Sequence, residues 1–585
     1  MKSFIKPITL AALATTALSQ FVAAPTDLVS KLGYANITVR YKEVPAGICE
    51  LDPNVKSYSG YADIAEDQHI FWWFFEARNG DPTEAPLTVW INGGPGSSSM
   101  IGLFQELGPC GVGPDMKPYN NPYSWSNVSN MLFIDQPNTV GFSYSVPIPG
   151  YVDDGFIVQL PDATCPEYAE GFESCGTYSK PSLQTTANTT EGAAPGMWKT
   201  LQGFMGAFPQ YTNGGFSFAT ESYGGHYAPV FNAYILDQNA KNISGAHHID
   251  LQNVLIGNGW FDPLVQYEAF YNFSIFPGNS YDYMPFNDSV KAEWYNNLYG
   301  AGNCVDQTKE CYATGWNSIC QSADNFCYQK VEYLWDKYSG RDEYDMRYLT
   351  PDPFPYTYYV EYLNLPEVQA AIGAYQNFSE SSSTVGTAYA NTGDDDRESG
   401  TIAATQKLVD AGVQVMMFFG DADYICNWIG GEVVADMIAA PGYDSAGYVN
   451  ITTSDDIVHG QVKQSDLFSF VRIYEAGHEV PFYQPLAALE IFGRALNQTD
   501  IATGKVKIAG GYPYKTIGTP TSDYKEGNGT VQFDVTPSNA TYNTALNAPD
   551  PTPTWGVAES AEKRGLGKRE IGRKGKSRGW RRLVR

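Results

Sequence analysis

The apolar residues fall into short runs closed by glycine, proline or polar turns. Tyr58 to Ile64 and His69 to Glu76 alternate or run apolar ahead of the turn cluster Arg78-Asn-Gly-Asp-Pro82, which predicts an antiparallel hairpin. Leu87-Thr-Val-Trp-Ile91, Met131-Leu-Phe-Ile-Asp135, Phe216-Ser-Phe-Ala219, Asn253-Val-Leu-Ile-Gly257 and Val413 to Phe419 are compact runs that predict strands buried on both faces. Met197 to Phe208 and Ile402 to Ala411 carry a helical pattern. Strands alternating with helices imply an α/β fold with a mostly parallel central sheet, covered on both faces. Val449 to Val458 and Leu467 to Tyr474 predict two more strands, with His459-Gly460 in the turn between them.

From about residue 261 to about 401 the character changes: Tyr, Asn and Asp become frequent, and strand signals weaken. This stretch is expected to be an insertion over the sheet, a lid. The chain thus divides into a leader (1–24), a first core part (25–260), the insertion (261–401), a second core part (402–505), a C-terminal extension (506–562) and a basic, disordered tail (563–585).

With 585 residues, 43% of them hydrophobic and 14% aromatic, the chain can bury a large core. Lys2 and Lys6, the apolar Ile8 to Leu18 and small residues at Ala17, Ser19, Ala23 and Ala24 form a secretory signal pattern. No later run of 18 apolar residues follows, so no transmembrane segment is expected. Glycosylation sequons begin at Asn36, Asn127, Asn188, Asn242, Asn272, Asn287, Asn377, Asn450, Asn497, Asn528 and Asn539. Cys304, Cys311, Cys320 and Cys327 lie at spacings of 7, 9 and 7 with no histidine cluster beside them, which favours disulfides over zinc. The odd total of nine leaves one thiol over, expected at Cys426. These features place the protein outside the cell or in a vacuole-like compartment. The tail carries eleven Lys or Arg and one Glu, a net +10, which leaves −37 on the rest of a chain whose total is −27. A body that acidic repels nucleic acid. Dibasic pairs such as Lys563-Arg564, Lys568-Arg569 and Arg581-Arg582 are places where the tail could be trimmed.

The chemistry centres on Glu221-Ser222-Tyr223-Gly224-Gly225. A buried strand running into Ser and two glycines makes a nucleophile elbow, which exposes Ser Oγ on a sharp turn and lets the next helix pack close. The loop Asn92-Gly-Gly-Pro-Gly-Ser-Ser-Ser99 follows a central strand and can aim backbone N–H groups at a developing oxyanion; no Lys follows the glycines, so a phosphate loop is set aside. Of the six histidines (69, 226, 247, 248, 459 and 478), His478 alone follows a strand-like run within a loop, Glu475-Ala-Gly-His-Glu-Val-Pro481. The acid belongs at another strand end, between Ser and His, where Gly420-Asp-Ala-Asp-Tyr424 offers Asp421 or Asp423. Residue types, chain order and strand-end placement together predict a Ser–His–Asp triad of Ser222, His478 and Asp423. This chemistry needs neither metal nor cofactor.

Trp90-Ile-Asn-Gly-Gly-Pro-Gly96, Asp135-Gln-Pro137 with Gly141-Phe-Ser-Tyr144, Glu221-Ser-Tyr-Gly-Gly225, Gly420-Asp-Ala-Asp423 with Ile425-Cys-Asn-Trp428, and Gly477-His478 together resemble the serine carboxypeptidases over roughly residues 45–500. The resemblance implies an α/β-hydrolase fold, Asp423 rather than Asp421 as orienting acid, and the N–H groups of Gly94 and Tyr223 as oxyanion donors. It implies that Asn92, Glu106 and Glu221, with Trp90 beside them, bind the substrate's terminal carboxylate. Two ionised glutamates would repel that carboxylate, whereas a crowded pair sharing a proton can donate to it, so activity should be best in acid. The resemblance also implies Cys304–Cys327 and Cys311–Cys320; Cys49, Cys110, Cys165 and Cys175 are left to pair among themselves, for which Cys165–Cys175 with Cys49–Cys110 is one arrangement. Cys426 is expected near the triad, and Glu479 is a candidate for favouring a basic leaving residue. The chain departs from the family at Thr220, where a Gly is usual, and at Ser97, where a loop-anchoring Cys is usual. Three functions compete: a carboxypeptidase acting on peptide and protein C-termini, an acyltransferase on the same scaffold, and a catalytically silent binding glycoprotein.

Overall fold

The structure is a computed structural model that describes residues 21–170, 175–508 and 513–543, with the backbone of 548–549. The expected basic tail and most of the expected leader lie outside the described residues. A twelve-stranded sheet forms the spine. In chain order its strands are β1 (Val29–Leu32), β2 (Thr38–Val44), β3 (Ser57–Ala65), β4 (Gln68–Phe75), β5 (Leu87–Ile91), β6 (Asn130–Ile134), β7 (Phe216–Glu221), β8 (Leu251–Gly257), β9 (Gln414–Gly420), β10 (Val449–Thr452), β11 (Val458–Ser465) and β12 (Phe468–Ile473). Across the sheet they run β1-β2-β3-β4-β6-β5-β7-β8-β9-β12-β11-β10. The pairings from β6 through β5, β7, β8 and β9 to β12 are parallel. Both flanks are antiparallel, so the sheet is mixed, with its parallel part confined to the centre.

The buried strands place successive side chains in two separate cores, as a period of two requires. Val89, Phe218, Val254, Ile256, Val415 and Met417 face one core. Trp90, Ala219, Leu255, Met416 and Phe418 face the other. Helices Thr190–Ala207, Gly224–Ala240 and Trp428–Met437 close the first face, and helix Pro485–Leu496 the second. Between β8 and β9 the chain is helical, and disulfides Cys304–Cys327 and Cys311–Cys320 tie helix Cys304–Thr314 to helix Asn317–Cys327. Cys49–Cys110 and Cys165–Cys175 are the other bridges, and Cys426 is a buried free thiol. Among the described residues no helix is long and apolar enough to cross a membrane.

One strand boundary is corrected. His459-Gly460 lies inside β11, and the turn falls at Asp466-Leu467, where Asp466 takes φ +47°. The sequence of β11 is too polar to announce a strand, but its polar groups have partners: Lys463 reaches Asp436 (2.8 Å), Gln464 N–H donates to Thr516 (2.9 Å), and Gln461 accepts from Ser522 (2.8 Å). Thr516 and Ser522 belong to a C-terminal segment that crosses the sheet edge and stacks Tyr524 on Tyr474 (3.7 Å between centroids). A buried polar strand is stable only when such partners are supplied from elsewhere in the chain. Among the sequons, Asn36, Asn188, Asn242, Asn287, Asn450, Asn497, Asn528 and Asn539 are exposed. Asn127, Asn272 and Asn377 are partly buried, and the Asn377 amide is engaged at both ends, accepting from Thr177 N–H (2.8 Å) and donating to Asn364 (3.2 Å).

Candidate active site

β7 ends at Glu221, Ser222 takes φ +64°, and the next helix starts at Gly224. A non-glycine residue in that region is strained by about 1–3 kcal/mol and needs its surroundings to hold it. The loop after β8 does so: Ser222 N–H donates to the carbonyls of Gly257 and Asn258 (3.1 Å each), and Trp260 N–H donates to Ser222 C=O (2.8 Å). Thr220, the departure from the family pattern, fits because its hydroxyl donates to Ile91 C=O on β5 (2.7 Å). A Cβ at Gly224 would stand 2.0 Å from that hydroxyl, so this glycine makes room for the threonine.

The glycine loop lies directly against the elbow. A Cβ on Gly93 would stand 2.3 Å from Tyr223 N, and Gly94 takes φ +110°. The N–H groups of Gly94 and Tyr223 find no acceptor among the described residues. Without a Cys at 97, polar contacts anchor the loop. Asp135 accepts from Ser98 Oγ (2.6 Å), Ser99 N–H (2.9 Å) and Phe142 N–H (2.9 Å), and Ser98 N–H donates to Glu380 C=O (2.9 Å). Burial pushes the Asp135 carboxyl up to about 6, against those three donors.

Asp423, fully buried beyond β9, has Oδ2 2.9 Å from His478 Nδ1. The same oxygen accepts from Asn258 Nδ2 (2.7 Å) and Cys426 N–H (3.3 Å), and Oδ1 accepts from Ile425 N–H (3.1 Å). Burial raises the Asp423 carboxyl, and His478 and Asn258 oppose the rise. Sequence reasoning missed Asn258. Its one signal was a polar residue directly after a buried strand; here it takes φ +38°, accepts Gly420 N–H (3.0 Å) and so ties the elbow to the acid. His478 is 5% exposed, and its N–H donates to Tyr344 C=O (2.8 Å).

The alternatives are engaged elsewhere. Asp421 accepts from Tyr281 OH (2.6 Å) and faces Arg472. His226 is buried, with Nδ1 2.6 Å from Trp260 C=O, and burial lowers it to about 4. His69 pairs with Asp63, His459 with Asp455, and His247 stacks on Tyr34. Cys426 is close to Asp423 and His478: its sulfur, a His478 ring nitrogen and an Asp423 oxygen lie within 4.8 Å of one another. Burial holds its thiol well above the ordinary range.

Beside Ser222, Asn92 Oδ1 accepts from Trp90 Nε1 (2.8 Å) and Gly102 N–H (3.0 Å). That fixes the amide and turns Nδ2 to Glu221 Oε1 (2.7 Å). Glu221 and Glu106, each 4% exposed, act on each other electrostatically, but both Glu106 carboxylate oxygens are buried without a hydrogen-bond partner among the described residues. Burial, then the charge of Glu221, pushes Glu106 well above the carboxylate range. Burial, then the charge of Glu479, does the same to Glu221. Glu479 is half-buried.

Residues 47–498 match the family profile described as serine carboxypeptidase. The chain is 39% identical over 542 residues to carboxypeptidase S1 homolog B of Arthroderma otae, covering 85% of this chain and 82% of the relative. It is 37% identical to carboxypeptidase S1 of Penicillium janthinellum, covering 78% and 99%. A solved prohormone-processing carboxypeptidase from Saccharomyces cerevisiae superposes with a TM-score of 0.59 at 24% identity, over 79% of this chain and 92% of that one, which shows a common fold. With its α/β-hydrolase sheet and the family pattern spanning 47–498, this chain belongs to the serine carboxypeptidases.

Proposed function

We propose that the enzyme releases single residues from the C-termini of peptides and proteins through an acyl-enzyme on Ser222, and does so best in acid. Ser222 Oγ attacks the last peptide carbonyl while His478, oriented by Asp423, takes its proton and returns it to the leaving amine. The N–H groups of Gly94 and Tyr223 receive the oxyanion. Water, activated by His478, then releases the shortened peptide. The observation that carries the exopeptidase reading is the buried Glu106–Glu221 pair beside the nucleophile, with Asn92 donating to Glu221 and Trp90 fixing Asn92. While it keeps its proton, the pair can donate to a free terminal carboxylate, so an internal peptide bond has no equivalent anchor. Glu479, next to the base and felt by Glu221, would favour a basic leaving residue. Four disulfides and exposed sequons support passage through the secretory pathway to the exterior or a vacuole. Timed release of single amino acids from a peptide C-terminus, with a fluorophosphonate labelling Ser222, tests the reading. Labelling with transfer of acyl groups to alcohols or amines and no release to water would make it an acyltransferase. No labelling and no release would leave a binding protein.

A further inference from the structure

The loop that carries Gly94 is held from two directions. Asp135, directly after β6, takes Ser98 Oγ and Ser99 N–H from the side of the sheet. From the other side comes a short stretch of the chain between β8 and β9. Ser381 pairs with Ser97 as a single antiparallel bridge; Ser98 N–H donates to Glu380 C=O (2.9 Å), and Ser382 N–H donates to Gly96 C=O (3.2 Å). The Ser382 hydroxyl bonds Thr139 Oγ1 (3.0 Å). A Cβ on Gly96 would stand 3.0 Å from Val385, so the two stretches are packed as well as bonded. Ser97 is where the family usually carries a loop-anchoring Cys, so this pairing takes over a task that a covalent bond would otherwise perform.

The side chain of the same glutamate reaches another part of the site. Glu380 Oε2 accepts from Tyr359 OH. Tyr359 stacks on Phe104, with ring centroids 5.6 Å apart and planes 8° from parallel, and both rings border a cavity with Glu106 and Phe482. Glu106 belongs to the carboxylate-binding pair, so this cavity is where the leaving residue sits. Burial, then the charge of Glu380, holds the Tyr359 hydroxyl well above the ordinary tyrosine range, so it remains a donor. A hydroxyl donating to a carboxylate makes a strong bond, and Tyr359 is 1% exposed, so water does not compete for it. Glu380 thus has its carboxylate on the wall of the leaving-residue cavity and its carbonyl on the oxyanion loop, four positions from Gly94.

We propose that Glu380 is a positioning residue that couples the wall of the leaving-residue cavity to the oxyanion loop, so that a change at Tyr359 is felt at the Gly94 amide. The inference rests on the roles given above to Ser222, Gly94 and the Glu106 side. It is tested by the rate at which a small alkyl fluorophosphonate labels Ser222, because that probe uses the oxyanion donors and carries no leaving residue. Tyr359→Phe removes one hydroxyl from a cavity the probe does not need, yet it should slow labelling about threefold to tenfold. Glu380→Ala should slow labelling by the same factor, and the double variant by no more than either single one, because all three break one connection. Glu380→Gln still offers the hydroxyl an acceptor and should recover most of the rate. A residue that only supports the fold would lower the urea midpoint and leave the labelling rate of the folded enzyme unchanged. Labelling unmoved by Tyr359→Phe, or single effects that multiply in the double variant, would overturn the inference and leave the carboxypeptidase reading intact. Failure of the wild-type enzyme to label at Ser222 would remove both.

Discussion

Replacing Glu106 and Glu221 together by glutamine should abolish the loss of activity at high pH. Both carboxyls are raised, Glu106 by burial and then Glu221, Glu221 by burial and then Glu479. A raised carboxyl keeps its proton above the ordinary carboxylate range and loses it as pH climbs through the raised value, so carboxylate binding is present in acid and lost on the alkaline side. The protonated pair donates a hydrogen bond to a charged acceptor, worth about 1.5–3 kcal/mol. The ionised pair repels the same acceptor by about 4 kcal/mol at 4 Å and an effective dielectric of about 20. Even half of that swing is about 3 kcal/mol, or more than a hundredfold in kcat/KM. The assay is kcat/KM against pH for one peptide as its free acid and as its C-terminal amide. The wild-type enzyme should show the alkaline loss with the acid only. The double variant should bind the acid through amide N–H groups, more weakly but without that loss. An unchanged alkaline limb in the double variant would refute the shared-proton account of carboxylate binding.

Removing the charge of Glu479 (Glu479→Gln) should move the same limb to lower pH, since its charge is the second cause of the Glu221 rise, and should cut the preference for a C-terminal lysine over leucine. Asn258→Ala removes one of the donors to the buried Asp423 oxygen and strands Gly420 N–H, so kcat should fall about tenfold to a hundredfold with little change in KM, and fluorophosphonate labelling of Ser222 should slow in step. Gly224→Ala drives a methyl onto the Thr220 hydroxyl and should cost about 1–3 kcal/mol in urea unfolding; Thr220→Gly in the same chain should recover most of it. A bulky mercurial should inhibit the wild-type enzyme slowly, the buried Cys426 thiol being held protonated, and Cys426→Ser protein should resist.

How much of the site was legible follows from how far apart its partners lie. The strands around the nucleophile, the glycine loop and the order Ser, Asp, His could be read because each is a local pattern: an apolar run, then a residue type that only a tight turn tolerates. The helix Met197 to Phe208 was read short at its start, since Thr190–Ala207 carries Pro195 inside it. β11 was misplaced because its polar groups have partners in Thr516 and Ser522, some 50 residues on, which no window on the strand contains.

The sequence by itself determined the class of fold, the candidate residues for the chemistry and the family pattern that joins them, because buried strands and glycine turns leave few alternatives to a local run of residues. Only the tertiary structure decided that Asn258 holds Asp423, that Thr220 occupies the space left by Gly224, that the buried Glu106 and Glu221 act on each other's charge, and that Glu332, Glu343 and Asp395, three acids from between β8 and β9, line the cavity at Ser222. They join segments far apart in the chain, Asn258 and Asp423 being 165 positions apart. Their chemistry arises when packing removes water from groups that are unremarked polar residues in the sequence, and desolvation is a property of the folded surroundings, not of the residue.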